Sequence, residues 1–140
     1  GWVSLRQELN TIRSYLYMLG VRFEDKLLYR IEVAEELQDQ TFLPDFILQP
    51  IVENAIKHNH CSKKQPLEIV IESLSPQKLL VKNNYQPKEE RTESLGIGWF
   101  NIESRYQYLG GPLPVKYVAD GWFCVEVPLK QNEPSQTATS

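Results

Sequence analysis

The chain has 140 residues, a net charge of −3, 41% hydrophobic and 24% charged residues, which is the make-up of one globular domain long enough to bury a core. That charge excludes the basic surface needed for bulk nucleic-acid binding, and no apolar run approaches the ~18 residues of a bilayer span. No secretory signal is visible, and Cys61 and Cys124 form no CxxC-type metal pair, so they read as reduced thiols of a cytoplasmic protein.

Ser4 is a candidate N-cap with Gln7 three residues on, a weak capping-box pattern. Leu5, Leu9, Ile12, Leu16 and Leu19 follow at spacings of three and four, which predicts an amphipathic helix that Gly20 would stop. Residues 27–33 (LLYRIEV) alternate as a strand, and the polar run 35–40 reads as a loop. Leu43-Pro44 is expected to open a second helix, with Pro50 still near its start. That helix carries Phe46, Ile47, Ile51, Val52, Ala55 and Ile56 and should be central. Residues 58–65 read as a loop.

Residues 67–74 (LEIVIESL) and 79–82 (LLVK) predict an antiparallel hairpin around Pro76-Gln77. Residues 84–95 (NYQPKEERTESL) are nearly without apolar content and read as a mobile loop. Gly96-Ile97-Gly98 then starts a third helix through Trp99, Ile102, Tyr106 and Leu109, which Gly110-Gly111 ends. A last hairpin, 114–118 with 122–128, turns at Asp120-Gly121, and 131–140 read as a disordered tail. This order predicts an α+β fold: a two-layer α/β sandwich, helices on one face of a mixed, mostly antiparallel sheet.

The chemistry concentrates in Leu48-Gln-Pro-Ile-Val-Glu-Asn-Ala-Ile-Lys-His58. Asn54 on an otherwise apolar helix is either bonded to nearby backbone or serves as an oxygen ligand for Mg²⁺. Lys57, three residues on, is either a phosphate-reaching point charge or a solvated lysine at a helix end. His58, His60 and Cys61 fit no common zinc spacing; His58 suits a neutral hydrogen-bonding ring. Gly96, Ile97 and Gly98 form no Walker loop, but a bare turn at a helix start lets backbone N–H groups approach phosphate. Arg105 reads as an ion-pair partner.

Taken together these residues resemble the catalytic, ATP-binding domain of bacterial sensor histidine kinases, and more narrowly the LytS-like group. LQPIVENAIKH resembles that family's N-box, GIGWFNIESRYQYLGG its second glycine box and following helix, and VSLRQELNTIRSYLYMLGVRFEDKL the segment that joins the phosphoacceptor region to the ATP-binding core. The resemblance covers roughly residues 2–130. It implies a Bergerat-type fold with ATP and Mg²⁺ as cofactors. It implies that Asn54 ligates Mg²⁺, that Lys57 and His58 face phosphates or ribose, and that Gly96, Ile97 and Gly98 form a hinge beside an ATP lid over 85–95. Residues 1–20 would be a linker helix from an upstream dimerisation and phosphoacceptor domain, and 21–130 the catalytic domain. The partners implied are that domain, a downstream response regulator and a second copy of the full-length protein. The chain would be the cytoplasmic part of an inner-membrane receptor.

Three departures from the family pattern stand out. Asn83 occupies the place of the carboxylate that reads adenine, and the glycines of the first glycine box are missing. Trp99 replaces a leucine. The NPHFLFN-type phosphoacceptor motif is absent, so no catalytic histidine is assigned in this chain. Pro50, four residues before Asn54, stands where related ATPases carry an acid that activates water, which disfavours simple ATP hydrolysis.

Overall fold

The computed structural model describes residues 1–89 and 94–131, with the side chains of 94–97 outside the description. A five-stranded sheet runs in the order β2-β4-β5-β7-β6, built from β2 (Leu27–Glu32), β4 (Leu67–Ser75), β5 (Lys78–Asn84), β6 (Val115–Ala119) and β7 (Trp122–Pro128). Strand β2 is parallel to β4, and every other pairing is antiparallel. Three helices, α1 (Leu5–Phe23), α3 (Leu48–His58) and α4 (Ser94–Leu109), share one apolar core with the inner face of the sheet. Leu67, Ile69, Ile71, Leu79, Val81, Val125 and Val127 supply the strand side of that core.

The outer face stays wet. There Val70, Leu80 and Cys124 are buried by charged neighbours: Lys82 pairs with Glu72 at 3.1 Å and Lys78 with Glu126 at 3.1 Å. Their aliphatic stems cover apolar surface while their heads reach water. At the β6–β7 turn, Asp120 and Gly121 have φ of 52° and 81°. Both residues thus take the left-handed conformation that a two-residue hairpin needs to match strand twist.

Helix α1 is capped as expected, with Ser4 Oγ accepting from Gln7 N–H at 3.1 Å. It does not stop at Gly20. The apolar stripe extends one turn further to Phe23, which packs on the core, and the chain leaves the helix at Glu24 with φ of 51°. The stripe packs on this domain: Leu5, Leu9, Ile12 and Leu16 are at most 1% exposed.

Three expectations are corrected between 35 and 50. Residues 35–40, expected as a loop, form α2 (Glu35–Gln40). Leu43 and Pro44 do not open a helix. They lie in β3 (Phe42–Pro44), which pairs with β1 (Trp2–Ser4) as a two-stranded sheet, and α3 begins only at Leu48.

The start of α3 is held by α1, not by its own neighbours. Ile47 supplies no side-chain cap, and Phe46 turns the chain with φ of 57°. The Glu8 carboxylate accepts the N–H groups of Phe46 at 2.9 Å, Ile47 at 3.1 Å and Leu48 at 3.2 Å. Those are donors a helix start leaves unpaired. Pro50 then falls in the first turn, where its missing N–H costs nothing.

Candidate functional site

On α3, Leu48, Ile51, Val52 and Ala55 are buried. Ile51, Asn54, Ala55 and His58 recur at intervals of three and four, so they form one stripe along the helix. That stripe is one wall of a cleft of about 530 Å³. The inner face of the sheet forms its floor through Ile69, Val81, Asn83, Phe123 and Val125, and Trp99 closes it from α4. Lys88 and Lys116 line it against one acid, Glu89, while the charge of Lys82 is spent on Glu72 across the outer face; the described lining is still net positive and suits a polyanion.

Asn54 sits half-buried where α3 meets α4. A Cβ built on Gly98 would lie 3.3 Å from both amide atoms of Asn54, so glycine at 98 is what makes room for this side chain. The Asn54 amide has no hydrogen-bond partner among the described residues, so it is not spent on nearby backbone. Its Oδ1 is a hard donor. Mg²⁺ takes one or two protein oxygens together with water and phosphate, and the residues present fit that pattern. Among the described residues no group of three or more His, Cys, Asp or Glu could hold a metal ion.

His58 lines the cleft, and its imidazole is held below the ordinary pKa, first by burial and then by the charges of Lys57 and Lys88. It is therefore a neutral hydrogen-bonding ring near pH 7. Lys57 is exposed on the last turn and is not part of the cleft lining. Asn83 is 3% exposed at the floor, and its Nδ2 donates to the Asn84 carbonyl at 2.8 Å. That leaves Oδ1 as the acceptor. Gly96 and Ile97 lie in the first turn of α4, so the glycine pair is inside the helix and does not precede it.

The expected mobile segment is pinned over its described part. Tyr85 N–H donates to the Gly121 carbonyl at 2.8 Å, and Lys88 N–H to the His58 carbonyl at 3.0 Å. Asn59, 4% exposed, donates to Ala55 O and accepts from Gln86 N–H, each at 2.8 Å. Tyr85 also stacks on Phe123 with centroids 6.1 Å apart. Residues 90–93 of the expected lid, and 132–140 of the expected tail, lie outside the described residues.

The other sequence candidates are occupied elsewhere. Arg105 pairs with Asp45 at 3.2 Å, as expected of an ion-pair residue. His60 is joined to Gln86 through backbone, and Cys61 Sγ lies 2.9 Å from the Lys26 carbonyl oxygen. A larger groove, about 1150 Å³, lies on the other side of α4 along Trp2, Phe46, Arg105 and Tyr108. Its size does not make it the site, because it takes in only Gly98 of the candidate residues and its one arginine is already paired.

Asn59, Tyr85, Lys88, Lys116 and Phe123 were not singled out from sequence as site residues. The available signals were the alternation in β7, which puts Phe123 on the same face as Val125, and the Asp120-Gly121 turn, which sets Lys116 opposite Val125.

No family model matches the chain. It is 35% identical over 98 residues to the sensor protein LytS of Bacillus cereus, a match that covers 67% of this chain and 16% of LytS. Among solved structures, the cytoplasmic segment of histidine kinase QseC superposes with a TM-score of 0.66 at 13% identity, covering 94% of this chain and 78% of that one. The catalytic domain of histidine kinase ThkA, nucleotide free, gives 0.62 at 15% identity over 91% and 94%. Over the matched residues the chain is related to the LytS-like sensor histidine kinases. Its fold is that of the histidine kinase catalytic domain, and it spans about 16% of the length of the LytS it matches. No helix among the described residues is long and apolar enough to cross a membrane. The LytS-like resemblance read from the N-box and the second glycine box thus agrees with the relatives, and the mixed, mostly antiparallel sheet with the fold.

Proposed function

We propose that the chain is the ATP-binding catalytic domain of a two-component sensor kinase, passing the γ-phosphoryl group of ATP to a histidine on another domain of the same protein. The observation that carries this reading is the α3 stripe through Asn54 and His58 facing Asn83 across a basic cleft, in a chain related to sensor kinases.

The roles follow from position. Asn83 Oδ1 accepts the amino hydrogen of adenine. Asn54 supplies an oxygen to Mg²⁺, which when bound neutralises charge on the phosphates. His58 contributes a neutral donor or acceptor, and Lys57 long-range positive charge. In the transfer, an acceptor imidazole nitrogen bonds to the γ-phosphorus as the bond to the bridging oxygen breaks and ADP leaves. The domain needs to supply no base, because a neutral imidazole is already nucleophilic. Its contribution is positioning and charge compensation. The partners that follow are the dimeric phosphoacceptor domain of the same polypeptide and a response regulator; the whole protein is a membrane-anchored receptor with this domain in the cytoplasm.

The test is calorimetric titration with a non-hydrolysable ATP analogue, with and without Mg²⁺. The wild-type chain should bind with Mg²⁺ dependence. Asn54→Ala should lose that dependence while melting at the wild-type temperature, and unchanged Mg²⁺-dependent affinity in this variant would refute the assignment. One observation favours a second reading, a kinase-like module that acts by protein contacts alone: the floor residue is a carboxamide, Asn83, where a carboxylate would add charge to the adenine contact. Absence of binding to millimolar nucleotide by a folded sample would select it.

A further inference from the structure

Of the three lysines along the cleft, one turns its charge away from it. Lys82 is on the outer face of the sheet, 3.1 Å from a Glu72 oxygen and 4.7 Å from the centroid of the Trp122 ring, while Lys88 is held only at its backbone N–H, by the His58 carbonyl. Lys116 differs. It lies opposite Val125 in the β6–β7 register, which places it on the inner face of the sheet, and it lines the cleft. Its ammonium rests 4.6 Å from the centroid of the Trp99 ring. It has no carboxylate partner among the described residues.

Trp99 directly follows Gly98, against which the Asn54 amide lies. Asn54 and Lys116 therefore meet the same stretch of α4, one from α3 and the other from β6, and both face the cleft. A ring face holds an ammonium weakly at an exposed site. A phosphate oxygen holds it through a shorter, charge-assisted bond, and a four-carbon stem lets the ammonium swing from one to the other.

We propose that Lys116 is a phosphate-binding residue of this cleft, resting on Trp99 and transferring to the polyphosphate of the bound nucleotide. This rests on the nucleotide reading above and adds to it a specific cation that β6 contributes. Trp99 is the resting place of that cation as well as a wall of the cleft.

The test compares wild type, Lys116→Met and Lys116→Arg by calorimetric titration with a non-hydrolysable ATP analogue and Mg²⁺, at low and high ionic strength. Methionine keeps a stem on the indole without the charge. The expected result is affinity about tenfold weaker in Lys116→Met at low salt, a gap that narrows at high salt as the contact is screened, and most of the affinity kept in Lys116→Arg. No loss in Lys116→Met overturns the proposal. So does a loss of the same size at both ionic strengths, which would mark a packing role on Trp99. A wild-type chain that binds no nucleotide would overturn the nucleotide reading and this inference together, whereas normal binding indifferent to Lys116 would remove this inference alone.

Discussion

Asn54 and Gly98 are two halves of one feature. A side chain at 98 would press on the Asn54 amide at 3.3 Å, tighter than ordinary van der Waals contact, so the glycine spaces α4 from α3 by the width of that amide. His58, one turn along from Asn54, carries a titration signature. Burial and the charges of Lys57 and Lys88 hold its pKa below the ordinary value, which is about 6.5. The unfolded chain therefore takes up this proton at a higher pH than the folded one. Stability from this group is intact above about pH 6.5, falls as pH drops below it, and levels off only once the folded imidazole is also protonated. Denaturant midpoints measured from about pH 7.5 to about pH 5 should show wild type losing more stability on acidification than His58→Gln, and parallel curves would refute the shift. Asn54 and His58 were legible in the sequence because both lie in one eleven-residue helix, where spacing sets the face. Lys116 was not singled out: the Asp120-Gly121 turn already sets it opposite Val125, but nothing local in the sequence tells that this end of the hairpin borders the same cleft as α3.

Helix α3 shows what local reading can and cannot recover. Its apolar pattern announces a helix, but its start is decided by Glu8, 40 residues upstream of Leu48. With no local cap to read, Pro44 looked like the opening proline. Glu8 lies three after Leu5 and four before Ile12, on the buried stripe of α1, and an acid on an apolar stripe was the available sign. Removing it leaves three backbone donors to find other partners. Hydrogen bonds to a charged group contribute roughly 1.5–3 kcal/mol each, with incomplete additivity, so Glu8→Ala should destabilise by about 3 kcal/mol. Glu8→Gln, which keeps one acceptor oxygen, should cost less. Chemical denaturation of the two variants checks both the size and the order, and equal, small losses would show that water replaces the carboxylate. The short elements went unread for a different reason. Strands of three residues, β1 and β3, and the six-residue, almost wholly polar α2 contain too few residues for any period to register. They exist because they pair: Phe42 exchanges backbone bonds with Lys130 at 2.7 and 2.8 Å, and Arg6 reaches Glu35 and Asp39 at 2.8 and 2.6 Å.

At the scale of the molecule, a two-layer sandwich can leave a cleft open only if the core behind it is closed. The Asn54 wall, the Asn83 floor and the Trp99 side all stand on that core, and α1 supplies one end of it through Leu5, Leu9, Ile12, Leu16 and Leu19. A boundary near residue 20 would therefore separate side chains that share one cluster. Full burial of an aliphatic side chain contributes about 1.5–3 kcal/mol. Five of them come to roughly 10 kcal/mol, comparable with the ~5–15 kcal/mol net stability of a whole domain. The same helix provides Glu8 at the start of α3, so its loss would also loosen the element that bears Asn54. A chain shortened to 24–131 should accordingly lose its cooperative thermal transition and, with it, nucleotide binding. Circular dichroism melting, with amide dispersion in a proton–nitrogen spectrum, makes the comparison. A sharp transition within a few degrees of the parent would mean that the domain folds without α1. A broad or absent transition would mean that α1 is part of this fold, so that force or rotation applied along α1 would act directly on the start of α3 and, through it, on Asn54.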